Sequence, residues 1–378
     1  MNREEYARGS MFPRYREDWV ARATYNYDDR YLLDVNGAYN GSERFGPGYR
    51  FELFPSAAVG WAISNEPFMQ GADWLDMLKI RGSYGVVGDD DINGRWGYIS
   101  QWASGGQAFM NNANPWAGGN QRSPYTFYRE DVIGNPDLRW ETSTKANIGF
   151  DLTLLNNLVT ATVDVFREGR NDIIVQGNDR SVPAFLGFDA PDLNVGETSV
   201  EGIEIALGFH RYLNPNLKLW SNINFTQARS EIVFREEPAL LDAHLKTEGF
   251  PIGLYKRPIN GELITSWDVE YMSVPLVNDM QHRRPGYYDQ KHLNSDGRHA
   301  DNTARAHSGY PRQPITTWTW TVGTDYYGLS VMVQFYGAFN ATKRHTVWDF
   351  HKDTPLYFAH NLDYWTVDNP NGQEVLPE

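Results

Sequence analysis

Hydrophobic and polar residues alternate with a period of two in segment after segment. From Ala146 the even positions Ala146, Ile148, Phe150, Leu152 and Leu154 are apolar, against Asn147, Gly149, Asp151 and Thr153. After Asn156-Asn157 the pattern resumes, with Val159, Ala161, Val163 and Val165 opposite Thr160, Thr162 and Asp164. Such alternation marks strands with one apolar face, and an Asn pair between them supplies a tight turn, so 146–166 reads as a β-hairpin.

The same reading predicts further hairpins. Ile203, Ile205, Leu207 and Phe209 lead through a turn at 211–216 to Leu217, Leu219, Ile223 and Phe225. Trp318, Trp320 and Val322 turn at Tyr327-Gly328 into Leu329, Val331, Val333 and Phe335. Near the start, Trp19–Tyr27 and Tyr31–Tyr39 flank Asp28-Asp29, and 54–63 and 78–87 add two strands. About ten strands result, mostly of about 9–13 residues, near the length that crosses a bilayer at a tilt. Tight turns alternate with long connections at 88–137, 170–197 and 234–313, the layout of an antiparallel transmembrane β-barrel with loops on one side. The fold class predicted is therefore all-β, a partial barrel with long extracellular loops and short periplasmic turns.

Composition narrows the function. The 378 residues carry 34 Lys and Arg against 48 Asp and Glu, a net charge of −14, which argues against nucleic acid as a partner. Cysteine is absent, removing disulfides, thiolate metal sites and cysteine nucleophiles. Mean hydropathy is −0.57 and no apolar run is long enough for a transmembrane helix, although barrel strands escape that test. Met1–Asp18 holds no signal-peptide core and Asp368–Glu378 no closing strand, so both ends read as cuts within a longer protein. No GxSxG, P-loop or GxGxxG occurs, which predicts neither an enzyme nor a bound cofactor.

Several motifs then fall in order: YNYDDRYLLDVNGAYNGSERF at 25–45, FPSAAVGWAIS at 54–64, LKIRGSYGVVG at 78–88, GNPDLRWE at 134–141, IGFD at 148–151 and GFPIG at 249–253. In this spacing the chain resembles the SusC/RagA family of TonB-dependent outer-membrane transporters from about Asp18 to Asn371. The resemblance implies residues 1–378 to be part of the C-terminal half of a 22-stranded barrel, with plug, TonB box and final strands elsewhere. It implies import of oligosaccharides or peptides through the bacterial outer membrane, with the TonB complex and a SusD-like surface lipoprotein as partners. Alone, such a piece is not expected to transport. A passive porin-like channel and a soluble carbohydrate-binding β-domain are the rival readings; the latter requires Ile203, Ile205, Leu207 and Phe209 to pack on a second sheet.

Candidate residues follow. Trp96, Tyr98, Trp102, Trp116, Tyr125 and Tyr128 lie among Gly, Asn and Gln in the long 88–137 connection, a composition suited to stacking on sugars. Asp151, Glu204, Lys218, Asn222 and Asn224 occupy polar positions of strands and are expected to face the lumen. Trp19, Tyr27, Tyr31, Tyr39, Trp61, Trp140, Tyr326 and Tyr327 sit near strand ends, as interfacial girdle residues do. The segment 287–305 aligns with a calcium-like family loop of which only Asn294, Asp296, Gly297 and Asp301 remain. His292 at its first ligand position argues against calcium, which prefers oxygen. His282, His292, His299 and His307 read as solvated loop residues, and Asp89-Asp90-Asp91 and Glu236-Glu237 as solvated turns.

Overall fold

The computed structural model describes residues 14–91, 96–107, 126–177, 180, 190–238, 241–271, 288–291, 293, 305–343, 350–351, 354–355 and 369. Two units are distinguished, Met1–Glu236 with Trp318–Tyr336, and Glu237–Thr317 with Gly337–Glu378. The chain begins with β1 (Arg16–Tyr27), β2 (Tyr31–Ser42), β3 (Phe51–Ala62) and β4 (Leu75–Asp89). A small hairpin of β5 (Gln101–Gln107) and β6 (Thr126–Val132) precedes β7 (Glu141–Leu154), β8 (Val159–Val175), β9 (Leu193–Asn214) and β10 (Leu217–Phe234). The second unit holds β11 (Leu254–Pro258), β12 (Asn260–Leu263), the one-turn helix α1 (Ser266–Glu270), β13 (Tyr288–Gln290) and β14 (Arg305–Pro311). There β11 pairs with β14 and β12 with β13. The chain continues into β15 (Thr316–Tyr326) and β16 (Leu329–Phe339).

Ten strands form one sheet in the order β1-β2-β3-β4-β7-β8-β9-β10-β15-β16. Connections at 28–30, 63–74, 155–158, 215–216 and 327–328 close one end of it; those at 43–50, 90–140, 176–192 and 235–315 start and finish at the other. The tight turns use left-handed backbone at Asp28, Asp29, Asn156, Asn157, Tyr327 and Gly328, the conformation that matches strand twist and that Asp, Asn and Gly tolerate. Several strands outrun the expected length: β8 has 17 residues, β10 18 and β9 22. The surplus lies toward the loop end, in segments such as Arg167–Asp172, where both faces are polar and alternation gives no signal.

Directly paired residues share a face, so register sorts the side chains. One row runs Tyr31, Trp61, Ile80, Phe150, Val163, Ile205 and Phe225 across seven strands. All are apolar, and none is covered: Tyr31 and Trp61 stack with centroids 6.5 Å apart and remain exposed. Among the described residues Ile203, Ile205, Leu207 and Phe209 are not buried either, and no second sheet lies on them, which removes the support for a soluble sandwich.

The height of this band is informative. On β2 it runs from Tyr31 to Tyr39 and on β8 from Val159 to Arg167, the first charge on that face, a span of eight residue steps in each case. The row through Tyr31 meets β8 at Val163, and the row through Arg167 meets β2 at Val35, so both borders drift by four residues over four strand spacings. That is about 14 Å along the strands over about 19 Å across them, a tilt of about 35°. Strands tilted so hold the band level, as barrels in membranes do.

One expected girdle residue departs from that role. Trp140 is fully buried with Phe45, Phe54 and Leu138, its ring 5.3 Å from Phe45 and 5.4 Å from Phe54. Its Nε1–H donates to the Arg50 carbonyl at 3.3 Å, and the Arg16 guanidinium lies 5.7 Å over the ring. Gly88 makes room, since a Cβ there would fall 2.0 Å from the Phe54 ring. Trp140→Ala is expected to cost about 3–5 kcal/mol, whereas Trp19→Ala, at an exposed position, should stay within about 0.5 kcal/mol. Denaturant titration of the two variants checks the contrast.

Candidate functional site on the polar face of the sheet

The opposite face is built from the alternate residues of the same strands. Its centre is Arg81 on β4, which the alternation Lys79, Arg81, Ser83 already marks as polar. The guanidinium donates to Asp151 on β7 at 3.2 Å and to Asp164 on β8 at 2.6 Å. Reaching β8 means passing over β7, and Gly149 lies directly between Arg81 and Asp164 in register. A Cβ on Gly149 would sit 2.5 Å from Asp164 Oδ1 and 2.9 Å from Arg81 Cζ. The glycine is thus the gap through which a three-strand ion cluster forms. Thr162 donates to the other Asp151 oxygen at 3.2 Å. Beside the cluster a groove of about 540 Å³ is bordered by Thr24, Asn26, Asp34, Lys79, Arg81 and Asn147, which offers both donors and acceptors.

Asp151, Glu204, Lys218, Asn222 and Asn224 all stand on this face. Asp151 belongs to the Arg81 cluster, and Glu204 pairs in register with Asp164. Asn224 donates to Thr319 Oγ1 at 3.2 Å. Lys218 is near the turn end, its Nζ 5.7 Å from the Tyr212 ring, apart from the others. Arg81 and Asp164 escaped the sequence reading as a site because nothing local reveals that strands 70 and 83 residues away supply their partners.

The GNPDLRWE segment fastens the loop end. Asn135 donates to the Asp192 carbonyl at 2.9 Å and its own N–H to Gly97; Arg139 pairs with Asp172 at 2.6 Å; Glu141 accepts from the Ile174 N–H at 3.0 Å. Gly134 is hemmed in, with a Cβ position 2.3 Å from Ile99 backbone. Above this base, Trp102 and Tyr128 stand diagonally on one face of the β5–β6 hairpin, 66% and 68% exposed. Trp96 is exposed as well, and Tyr98 packs partly against Gly46. Trp116 and Tyr125 lie outside the described residues.

The acidic runs are not free turns. Asp90 accepts from Arg16 at 3.0 Å and Ser42 at 2.7 Å, and Asp91 pairs with Arg44, because arginines of neighbouring segments converge there. Glu236 pairs with Arg180 at 2.7 Å. At the turn end the buried Glu66 accepts from Trp61 at 3.0 Å and from Arg30 at 3.4 Å; hydrogen bonds from Tyr31, Trp61 and Arg30 hold its carboxyl below the usual range.

In the second unit His307 departs from the solvated reading. Its ring stacks on Phe250 with centroids 4.1 Å apart, and Nε2 lies 2.8 Å from the Lys246 carbonyl, which fixes the proton there. Burial pushes its pKa below the ordinary histidine value, with Lys256 adding to the effect and the carbonyl opposing it. Asn294, Asp296, Gly297 and Asp301, with His282, His292 and His299, lie outside the described residues. Among the described residues no group of three potential metal ligands converges.

The family model for the TonB dependent receptor-like β-barrel matches residues 10–369. TonB-dependent receptor P26 of Formosa agariphila is 29% identical over 215 residues, 57% of this chain and 20% of the relative. TonB-dependent receptor SusC of Bacteroides thetaiotaomicron is 26% identical over 215 residues, again 57% and 20%. The fold is similar to the structure of the RagAB peptide importer in its closed-closed state, with TM-score 0.63, 21% identity, and coverage of 86% of this chain and 33% of that one. The matched region thus spans about a fifth of the curated relatives' length.

Two expectations follow. Gly149→Ala should cost about 1–3 kcal/mol by forcing Arg81 and Asp164 apart, and much less in an Arg81→Ala background, read from a double-mutant unfolding cycle. His307 binds its proton more weakly folded than unfolded, so its contribution to stability is complete above about pH 6.5 and declines as pH falls below that. Hydrogen exchange of residues 245–258 across pH 5–8 should show this loss, and His307→Phe should flatten it.

Proposed function

The chain belongs to the TonB-dependent receptor-like β-barrel family, and on that premise we propose that it forms wall and loops of an outer-membrane importer for large nutrients. The observation that carries this reading is one sheet with two opposed faces: a level, uncovered apolar band, bounded on β2 by Tyr31 and Tyr39, and a polar face centred on Arg81, Asp151 and Asp164. The apolar band meets the hydrocarbon of the bacterial outer membrane. The polar face lines the lumen, where Asp151, Glu204, Lys218, Asn222 and Asn224 are wall positions. Residues 1–378 act as one part of the barrel domain.

Oligosaccharides are the substrate class proposed first, and peptides second. Trp102 and Tyr128 support it, since exposed rings on a hairpin bind sugar faces by stacking. Trp96, Tyr98, Trp116 and Tyr125 belong to the same loop surface. Energy comes through the TonB complex and delivery through a SusD-like surface lipoprotein, by analogy with the family.

Trp102→Ala with Tyr128→Ala should weaken oligosaccharide binding about tenfold in calorimetry while leaving outer-membrane levels unchanged. Uptake by cells should cease when TonB is deleted. Uptake that persists without TonB identifies a passive channel instead, and a loss of peptide binding alone identifies the second substrate class.

A further inference from the structure

The apolar face is not uniform at its loop-end border. Two adjacent rows of paired residues cross it there. The lower runs Val59, Gly82, Ile148, Val165, Ile203 and Gln227; the upper replaces small and charged residues for aliphatic ones, with Ala146 followed by Arg167, Glu201 and Arg229. Gly82 and Ala146 leave a trough between Tyr84 and Ile148, and the resulting groove measures about 790 Å³. Its walls are bare, with Tyr84 59%, Ile148 69% and Val165 55% exposed.

The charged end of the groove has an uneven balance. Glu201 is paired in register with Arg167 on one side and Arg229 on the other, two cations to one anion. Among the described residues neither arginine makes an ion pair or side-chain hydrogen bond. Two arginines whose backbones lie two strand spacings apart, about 10 Å, have side chains long enough to converge on one phosphate. An apolar trough leading down from that point is the complement of an acyl chain.

We propose that this groove is a binding site for a membrane lipid with a phosphate-bearing headgroup, in the leaflet on the loop side. Arg167 and Arg229 hold the phosphate, the single Glu201 between them leaves a net positive charge to attract it, and a chain lies across Gly82 and Ala146 against Ile148 and Val165. The proposal rests on the outer-membrane reading, because only a lipid-facing sheet presents this groove to acyl chains.

The test is native mass spectrometry of the protein purified from its own membrane in mild detergent, titrated with lipid A monophosphate and with the same lipid A lacking its phosphate. Lipid A monophosphate should bind at least about tenfold more tightly. Arg167→Gln with Arg229→Gln should remove that preference. Gly82→Leu should lower binding of both lipids, since a Cβ there meets only Val59 Cγ2 and the Asn147 carbonyl, each at 3.9 Å, and the longer side chain fills the trough without collision. Equal binding of the two lipids, or binding untouched by either variant, overturns the lipid site while leaving the importer intact. Absence of the protein from the outer-membrane fraction overturns the membrane reading itself, and the lipid site with it.

Discussion

Everything in this structure depends on cross-strand register. Side chains alternate with a period of two, so a slip of one residue in any strand would send its apolar set to the polar face and its charges into the apolar band. A soluble sheet with a packed core has many contacts that resist such a slip. Here one face is uncovered across its whole width, and few side chains are fully buried. Register must therefore be held by backbone pairing and by a small number of side-chain anchors.

Those anchors are distributed along the strands. At the turn end, left-handed residues fix the hairpins, and Glu66 ties Arg30, Tyr31 and Trp61 together beside the first of them. Midway, Arg81 bridges β4 to β7 and β8 through the gap at Gly149. At the loop end, Trp140 closes the cluster of Phe45, Phe54 and Leu138, while Asn135, Arg139 and Glu141 fasten the segments around 97, 172–174 and 192. These anchors hold one face polar and the other apolar, and that division is what the proposed wall between lipid and a hydrophilic path requires.

The same economy accounts for the loops. Long connections on one side need a base that does not move with their tips, and the GNPDLRWE segment is that base. Its residues spend their hydrogen-bonding groups on backbone and side chains of neighbouring connections, which frees Trp102 and Tyr128 above them to stay exposed. A hydrogen-bonded base beneath two accessible rings is the arrangement that the proposed ligand-binding surface requires.

What the sequence determined by itself was the local order: strands, tight turns, and which residues share a face. Alternation around Ile148, Val163 and Ile205 and the Asp, Asn and Gly turns depend only on near neighbours, so they were legible without coordinates. Family membership was legible too, through motifs in fixed order. The tertiary structure alone decided where polar side chains find partners. Trp140 looks like any strand-end aromatic until Phe45, from a distant connection, and Phe54, from β3, enclose it. Asp90 and His307 looked solvated for the same reason, since their partners Arg16, Ser42 and Phe250 lie far away or on a separate turn. The stretches Arg167–Asp172 of β8 and Glu197–Ser199 of β9 were hidden because both faces there are polar, leaving pairing without a hydrophobic period to announce it. Periodicity records burial or lipid contact one residue at a time; ion clusters, cores and grooves arise only when register brings separate strands side by side.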